Sequence, residues 1–171
     1  KSSKFTDDTV MTIAVSNALI EANGDYSNLR EIVVKNLKYF GRKYPYRGYG
    51  SKFQQWLNWD LNKPYNSFGN GSAMRISAVP YFANSKDEVK RLSKMVTDVT
   101  HNHPEGIKGA EAVAVSIWMA LHIATARAIE LTITDFQKKI DESAKQVGVQ
   151  LKETEKEIMK LKEDVSFERG F

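Results

Sequence analysis

The stretch from Thr9 to Glu21 is apolar on most sides, with Thr12, Ser16 and Asn17 confined to a narrow polar strip. A helix of that kind needs other helices around it, and this demand constrains the fold more than any other feature of the chain. Asn23-Gly24 provides its stop. Directly before it stands Phe5-Thr6-Asp7-Asp8-Thr9. Two adjacent ionised carboxylates repel each other, more strongly where water is excluded. The pair has two readings. Thr6 or Asp7 caps the helix while the second acid favours its positive end. Alternatively, a hard divalent cation uses the carboxylates and flanking hydroxyls as ligands.

The remaining sequence also reads as helical. Asn28 with Glu31 resembles a capping box, and Leu29, Ile32, Val33, Leu37 and Phe40 follow at helical spacing, with Gly41 as the stop. Residues 41–50 read as loop, followed by a short helix around Phe53, Trp56 and Leu57. Residues 60–72 are rich in turn formers. Met74 to Phe82 predicts a helix that Pro80 shortens or bends. Ser85 and Glu88 form a second capping box before a helix with Val89, Leu92, Val96 and Val99 on its buried stripe. That helix ends at Thr100-His101-Asn102-His103, and Pro104-Glu105 opens a long Ala/Val-rich helix to about Thr125. Thr134 is expected to cap a further helix that Gly148 breaks, and a charged helix from about Leu151 to Glu163 closes the chain. No alternating strand pattern appears. The expectation is an all-α protein of about seven to eight helices, with a helical core over 1–128 and a divergent helical extension over 129–171.

The chain of 171 residues is 42% hydrophobic and 27% charged, ordinary values for a globular protein. Its net charge of +4 comes from 25 basic and 21 acidic residues with interleaved signs, so nucleic acid is a weak expectation. Arg42, Lys43, Arg47 and Lys52, threaded with Tyr44, Tyr46 and Tyr49, suit either an anionic partner or a solvated loop. With no cysteine, disulfide and thiolate chemistry are excluded. A cytoplasmic location is expected, as no secretory pattern stands before the acidic pair. Ala110 to Ala126 is the most apolar stretch. Interrupted by Glu111, Ser116 and His122, it predicts a buried core helix rather than a membrane span.

Two further constellations carry chemical interest. In Asn66-Ser67-Phe68-Gly69-Asn70-Gly71-Ser72-Ala73-Met74-Arg75, small residues allow backbone N–H groups close approach to an anion. The plain alternative is a tight turn. At Thr100-His101, a histidine at a helix end can bind a hydroxyl or phosphate, act as a base, or simply be a satisfied polar residue. No P-loop, Rossmann fingerprint or nucleophile elbow is present.

Taken in order, Phe5-Thr-Asp-Asp-Thr-Val-Met-Thr12, Gly48-Tyr-Gly50, Pro64-Tyr-Asn-Ser-Phe-Gly-Asn-Gly-Ser-Ala-Met-Arg75, Thr100-His101 and Gly106-x-x-Gly-Ala110 resemble the ADP-ribosylglycohydrolases. The resemblance covers about residues 4–121. It implies an all-α fold, two magnesium ions, and hydrolysis of an N- or O-glycosidic bond between ADP-ribose and a protein side chain or small acceptor. By the same resemblance Thr6, Asp7 and Asp8 are metal ligands, and Asp7 and Asp8 are the catalytic acids. Gly69, Asn70, Gly71 and Ser72 wrap the diphosphate and ribose, with Met74 and Arg75 fixing that loop. Phe68 or Tyr65 meets the adenine side, and His101 reaches the ribose-phosphate part.

The family's later Asp-x-Asp-Thr/Ser segment has no counterpart after Thr100, where Asp135, Asp141 and Asp164 stand alone. Thr6, Asp7 and Asp8 therefore supply half of a coordination shell. Its completion is expected from another subunit or from an unconventional residue such as Glu105 or Asp164. The chain is expected to be a truncated or degenerate member or a piece of a longer chain, with exposed apolar surface that could drive homo-oligomerisation, and no membrane partner. The alternative is a non-catalytic ADP-ribose-binding or structural protein derived from that family.

Overall fold

A computed structural model describes residues 3–60 and 62–168, with side chains described through Lys162. The described residues form five α-helices and two short 3-10 turns, with no strand among them. The helices are α1 (Asp7–Ala22), α2 (Leu29–Lys43), α3 (Ser51–Asn58), α4 (Lys86–Thr97) and α5 (Pro104–Glu168), and the turns span Ala73–Arg75 and Val79–Phe82. The all-α expectation holds. The chain divides into two units, Lys1–His122 and Ile123–Phe171.

In the first unit α1 is the central element. Val10, Met11, Ala14, Val15, Ala18, Leu19 and Ala22 are all buried. Each larger side chain among them contributes about 1.5–3 kcal/mol through the apolar surface it removes from water. α1 packs most extensively on α2, which presents Leu29, Val33, Val34 and Leu37 to the core. Asn23 at φ 46° and Gly24 at φ 86° end α1 in left-handed conformations, as the Asn-Gly pair predicts. Arg30 clamps Asp98 with two hydrogen bonds of 2.9 and 2.7 Å, joining α2 to the end of α4.

Several local expectations change. Asn28 stands at the cap of α2 but makes no side-chain cap bond. At α4 the cap does form: Ser85 Oγ accepts from the Glu88 amide at 3.1 Å, while Glu88 Oε2 reaches back one residue further than a capping box and accepts from the Asn84 amide. Gly41 does not end α2, which runs on to Lys43. It is instead a packing site, where an added Cβ would come within 2.6 Å of the Leu57 side chain. Residues 73–82 form two 3-10 turns rather than one bent helix, since Pro80 cannot donate within a longer one.

The three helices expected after Pro104 are one continuous helix. Thr134 does not cap; its hydroxyl donates back to the Glu130 carbonyl at 2.9 Å within the helix. Gly148 costs a helix only about 1 kcal/mol relative to Ala, too little to break one that is hydrogen-bonded on both sides. The buried-core expectation for 110–126 holds only at its start, where Ala110 and Ala114 are buried. By length and composition alone α5 passes the test for a membrane span, and only 6% of its most apolar window is buried. In the second unit, Ile129, Ile133, Phe136, Ile140, Val147 and Leu151 are all more than half exposed.

Candidate functional site

The acidic start of α1 is not capped by a side chain. Thr6 occupies the cap position, but its hydroxyl turns to Asp8 Oδ2 at 3.2 Å. The Asp7 amide, which a cap would leave to solvent, donates to the Arg47 carbonyl at 2.8 Å. The next residue, Gly48, has φ +94° and runs past the acid: a Cβ there would stand 3.5 Å from Asp7 Oδ1. Burial first, then the neighbouring Asp8 charge, raises the Asp7 carboxyl above its usual value, against backbone hydrogen bonds that lower it.

The glycine segment is held over the start of α5. A Cβ on Gly106 would lie 2.9 Å from the Ser67 carbonyl oxygen, so only glycine lets the two backbones approach this closely. Ser72 is buried, and its hydroxyl donates to the Gly106 carbonyl at 3.0 Å. The Thr12 hydroxyl reaches the Met74 carbonyl at 3.3 Å, tying the segment to α1.

His101 follows α4 and is 4% exposed. Its Nδ1 lies 2.8 Å from Thr100 Oγ1, which accepts from Arg75 Nη2 at 2.8 Å. Its Nε2 edge faces Gly71, where a Cβ would stand only 3.1 Å away. Burial, then the Arg75 charge, pushes the imidazole down to about 3, so the ring is neutral at physiological pH. Arg75 itself is 1% exposed, and burial brings its guanidinium down to about 10. Burial likewise pushes the Tyr65 phenol up to about 12.

A stability consequence follows from His101. Unfolded, its imidazole takes up a proton near pH 6.5; folded, it resists down to about pH 3. The unfolded state therefore binds the extra proton between those values, and stability falls as pH drops through that window. Between pH 7 and pH 5 the loss from this group is about 2 kcal/mol. Urea denaturation at the two pH values checks this. His101→Gln, which cannot take the proton, should remove that part of the pH dependence.

These parts meet at one cavity of about 560 Å³. Of the residues singled out from sequence, Asp7, Asp8, Tyr65, Gly69, Asn70, Gly71, Met74, Arg75 and His101 line it. Three others are not among the lining residues. Thr6 is exposed at the N-cap of α1, and its hydroxyl bonds to Asp8. Phe68 is 73% exposed, with its ring 5.4 Å from that of His103, so of the pair Phe68 and Tyr65 it is Tyr65 that lines the cavity. The Ser72 hydroxyl is spent on the Gly106 carbonyl.

Met11 and Ser67 also line the cavity from within the motifs, though the sequence assigns them no site role, and sequence reasoning missed Ser51 and Phe53. The one signal for the latter two was nearness to the Gly-Tyr-Gly motif. The basic-aromatic cluster is largely used for packing. Arg42 donates to the Leu57 carbonyl at 2.8 Å and Arg47 stacks 4.0 Å from the Phe5 ring centre, while Lys52 alone of the four basic residues reaches the cavity.

Comparison with known proteins points to the same family as the motifs. ADP-ribosylhydrolase ARH3 of Gallus gallus is 30% identical over 131 residues, covering 68% of this chain and 35% of that protein. The proteins of the same name from Mus musculus and Homo sapiens are 28% and 29% identical over 132 residues, with the same coverage. The chain thus spans about a third of the length of these relatives. The family description of ADP-ribosylglycohydrolase matches residues 2–169, nearly the whole sequence, and on that extent the chain belongs to the ADP-ribosylglycohydrolase family.

Proposed function

We propose that the cavity binds ADP-ribose, as the recognition part of a magnesium-dependent hydrolase that releases ADP-ribose from a protein side chain or small acceptor. One observation carries this reading: two carboxylates from α1, the glycine turn and His101 converge on a single cavity from distant parts of the sequence. Its volume of about 560 Å³ lies within the range of small-molecule sites. The glycine turn brings backbone N–H groups towards a diphosphate without side chains in the way. His101, neutral and buried, offers a directed hydrogen bond, and Tyr65 an aromatic wall. The name shared by the relatives supports the hydrolytic part.

Asp7 and Asp8 suit a hard cation, since their mutual repulsion and the partial burial of Asp7 both favour one. Thr6 stands beside them as a third oxygen donor. Asp7 and Asp8 would hold a magnesium ion, whose chemistry when bound would be charge to polarise the anomeric bond and an oriented water. The chain's own residues orient the ligand: the glycine turn and His101 hold its phosphates and ribose, and Asp7 and Asp8 set where the reacting end lies.

A specific observation favours a second reading for this chain by itself, namely ADP-ribose binding without turnover. Among the described residues no group of three or more His, Asp or Glu side chains is arranged to hold a metal. Glu105 is exposed and engaged with Lys108 at 2.8 Å, away from the cavity. Asp164 lies outside the residues whose side chains are described.

Calorimetric titration of ADP-ribose into the chain, with and without magnesium, beside an assay for ADP-ribose release from an ADP-ribosylated protein, separates the readings. Binding that tightens with magnesium and is accompanied by turnover supports the hydrolase. Metal-independent binding without turnover supports the binding module. No binding in either condition overturns both.

A further inference from the structure

The buried Arg75-Thr100-His101 group has an internal logic that fixes where protons sit. A guanidinium can only donate hydrogen bonds. Thr100 Oγ1, 2.8 Å from Arg75 Nη2, is therefore an acceptor towards Arg75. Its own single proton remains to be placed. Thr100 is 0% exposed, and His101 Nδ1 at 2.8 Å is the one further partner of this oxygen among the described residues. If Nδ1 carried the imidazole proton, two donors would point at the threonine oxygen and the hydroxyl proton would have nowhere to go. If the hydroxyl donates to Nδ1, both the threonine hydroxyl and Nδ1 are satisfied and the imidazole proton must sit on Nε2.

The Nε2 edge is the one turned to Gly71 on the cavity wall. We infer that Arg75 and Thr100 are positioning residues that lock His101 in its Nε2–H tautomer, making it a fixed neutral donor to an anionic ligand oxygen in the cavity. A second feature points to the sign of that ligand. Arg75 is 1% exposed, its Nε is buried without a hydrogen-bond partner, and among the described residues no carboxylate bonds to the group. An uncompensated buried cation behind a donor favours a phosphate oxygen over a ligand N–H. The choice of a phosphate rests on the ADP-ribose reading of the cavity, whereas the tautomer lock does not.

The test uses the full chain with 15N-labelled histidine. There are three histidines, and His101→Gln identifies the signals of this one. At neutral pH the wild-type protein should show Nδ1 unprotonated and Nε2 bearing the proton. Thr100→Val should lose that single-tautomer signature and weaken ADP-ribose binding about tenfold, the scale of one directed hydrogen bond. Thr100→Ser, which keeps the hydroxyl, should retain both. Inorganic pyrophosphate should shift the Nε2 signal and adenosine should not.

A wild-type spectrum with the proton on Nδ1 overturns the lock, and this is decided even if Thr100→Val does not fold. An unchanged tautomer and affinity in a folded Thr100→Val also overturns it. An intact Nε2–H signature with no response to ADP-ribose or pyrophosphate overturns the ligand assignment and leaves the lock standing.

Discussion

The Asp7→Ala/Asp8→Ala double variant should lose all magnesium-dependent enhancement of ADP-ribose binding, and any magnesium-dependent turnover with it, while keeping its fold. Loss of function follows from the donor set. A hard cation needs charged oxygen ligands, and without these two carboxylates only neutral hydroxyls, those of Thr6 and Thr9, remain at the start of α1. Retention of the fold follows from the local bonding. The structural link here runs through the Asp7 backbone amide to the Arg47 carbonyl, which alanine preserves. Removing the acids forfeits about 0.3–1 kcal/mol of favourable charge at the helix start. It also relieves the repulsion that raises the Asp7 carboxyl. The net change in stability should stay within about 1 kcal/mol. Calorimetry with and without magnesium, beside a thermal melt, checks both halves. Undiminished magnesium dependence in a folded double variant would sink the metal reading.

Gly71→Val should lower ADP-ribose affinity at least about a hundredfold, close to 2.7 kcal/mol, with or without magnesium. Gly71 does not adopt a left-handed backbone conformation, so valine is not excluded by φ. The obstacle is space. The new Cβ would stand 3.1 Å from His101 Nε2 and 3.2 Å from Cε1. That ring is buried and bonded to Thr100, so it has little room to retreat. The valine methyls must then occupy the cavity where the donor edge of His101 meets a ligand. Gly71→Ala should give an intermediate loss. Equal affinity in wild type and Gly71→Val would refute the placement of the ligand against the glycine turn.

Much of the helical framework was readable because its signals are local. The Ser85/Glu88 cap, the Asn23-Gly24 stop and Pro104 each act within one helical turn, and each marks a boundary close to where the structure has it. The Asn28/Glu31 pattern looked equally good, yet its side-chain cap is not made. A cap motif states which bond is available, and tertiary packing decides whether it forms. The continuity of α5 through Thr134 and Gly148 was misread for a related reason. Both residues disfavour helix only mildly, and a mild local penalty does not outweigh hydrogen bonds that run on past it.

The candidate site divides along the same line. The residue types and their order were visible in the chain: paired acids before an apolar helix, a glycine-rich turn, and a histidine after a threonine. Those motifs were enough to point to the family. Their distances were not visible. Gly71 and His101 touch across thirty positions of sequence, Gly48 lies against Asp7, and Gly106 admits the Ser67 backbone. The bond that turns Thr6 away from capping also depends on folded geometry.

By itself, then, the sequence determined the all-α class, most helix starts and stops, and the chemical inventory of the site, since each follows from covalent identity and spacing along one helix or turn. Only the tertiary structure decided which of those groups share a cavity, which hydroxyls are spent on backbone carbonyls, and which nitrogen of His101 faces the ligand space. Those outcomes depend on burial and on partners from other helices, and neither is encoded in any single stretch of the chain.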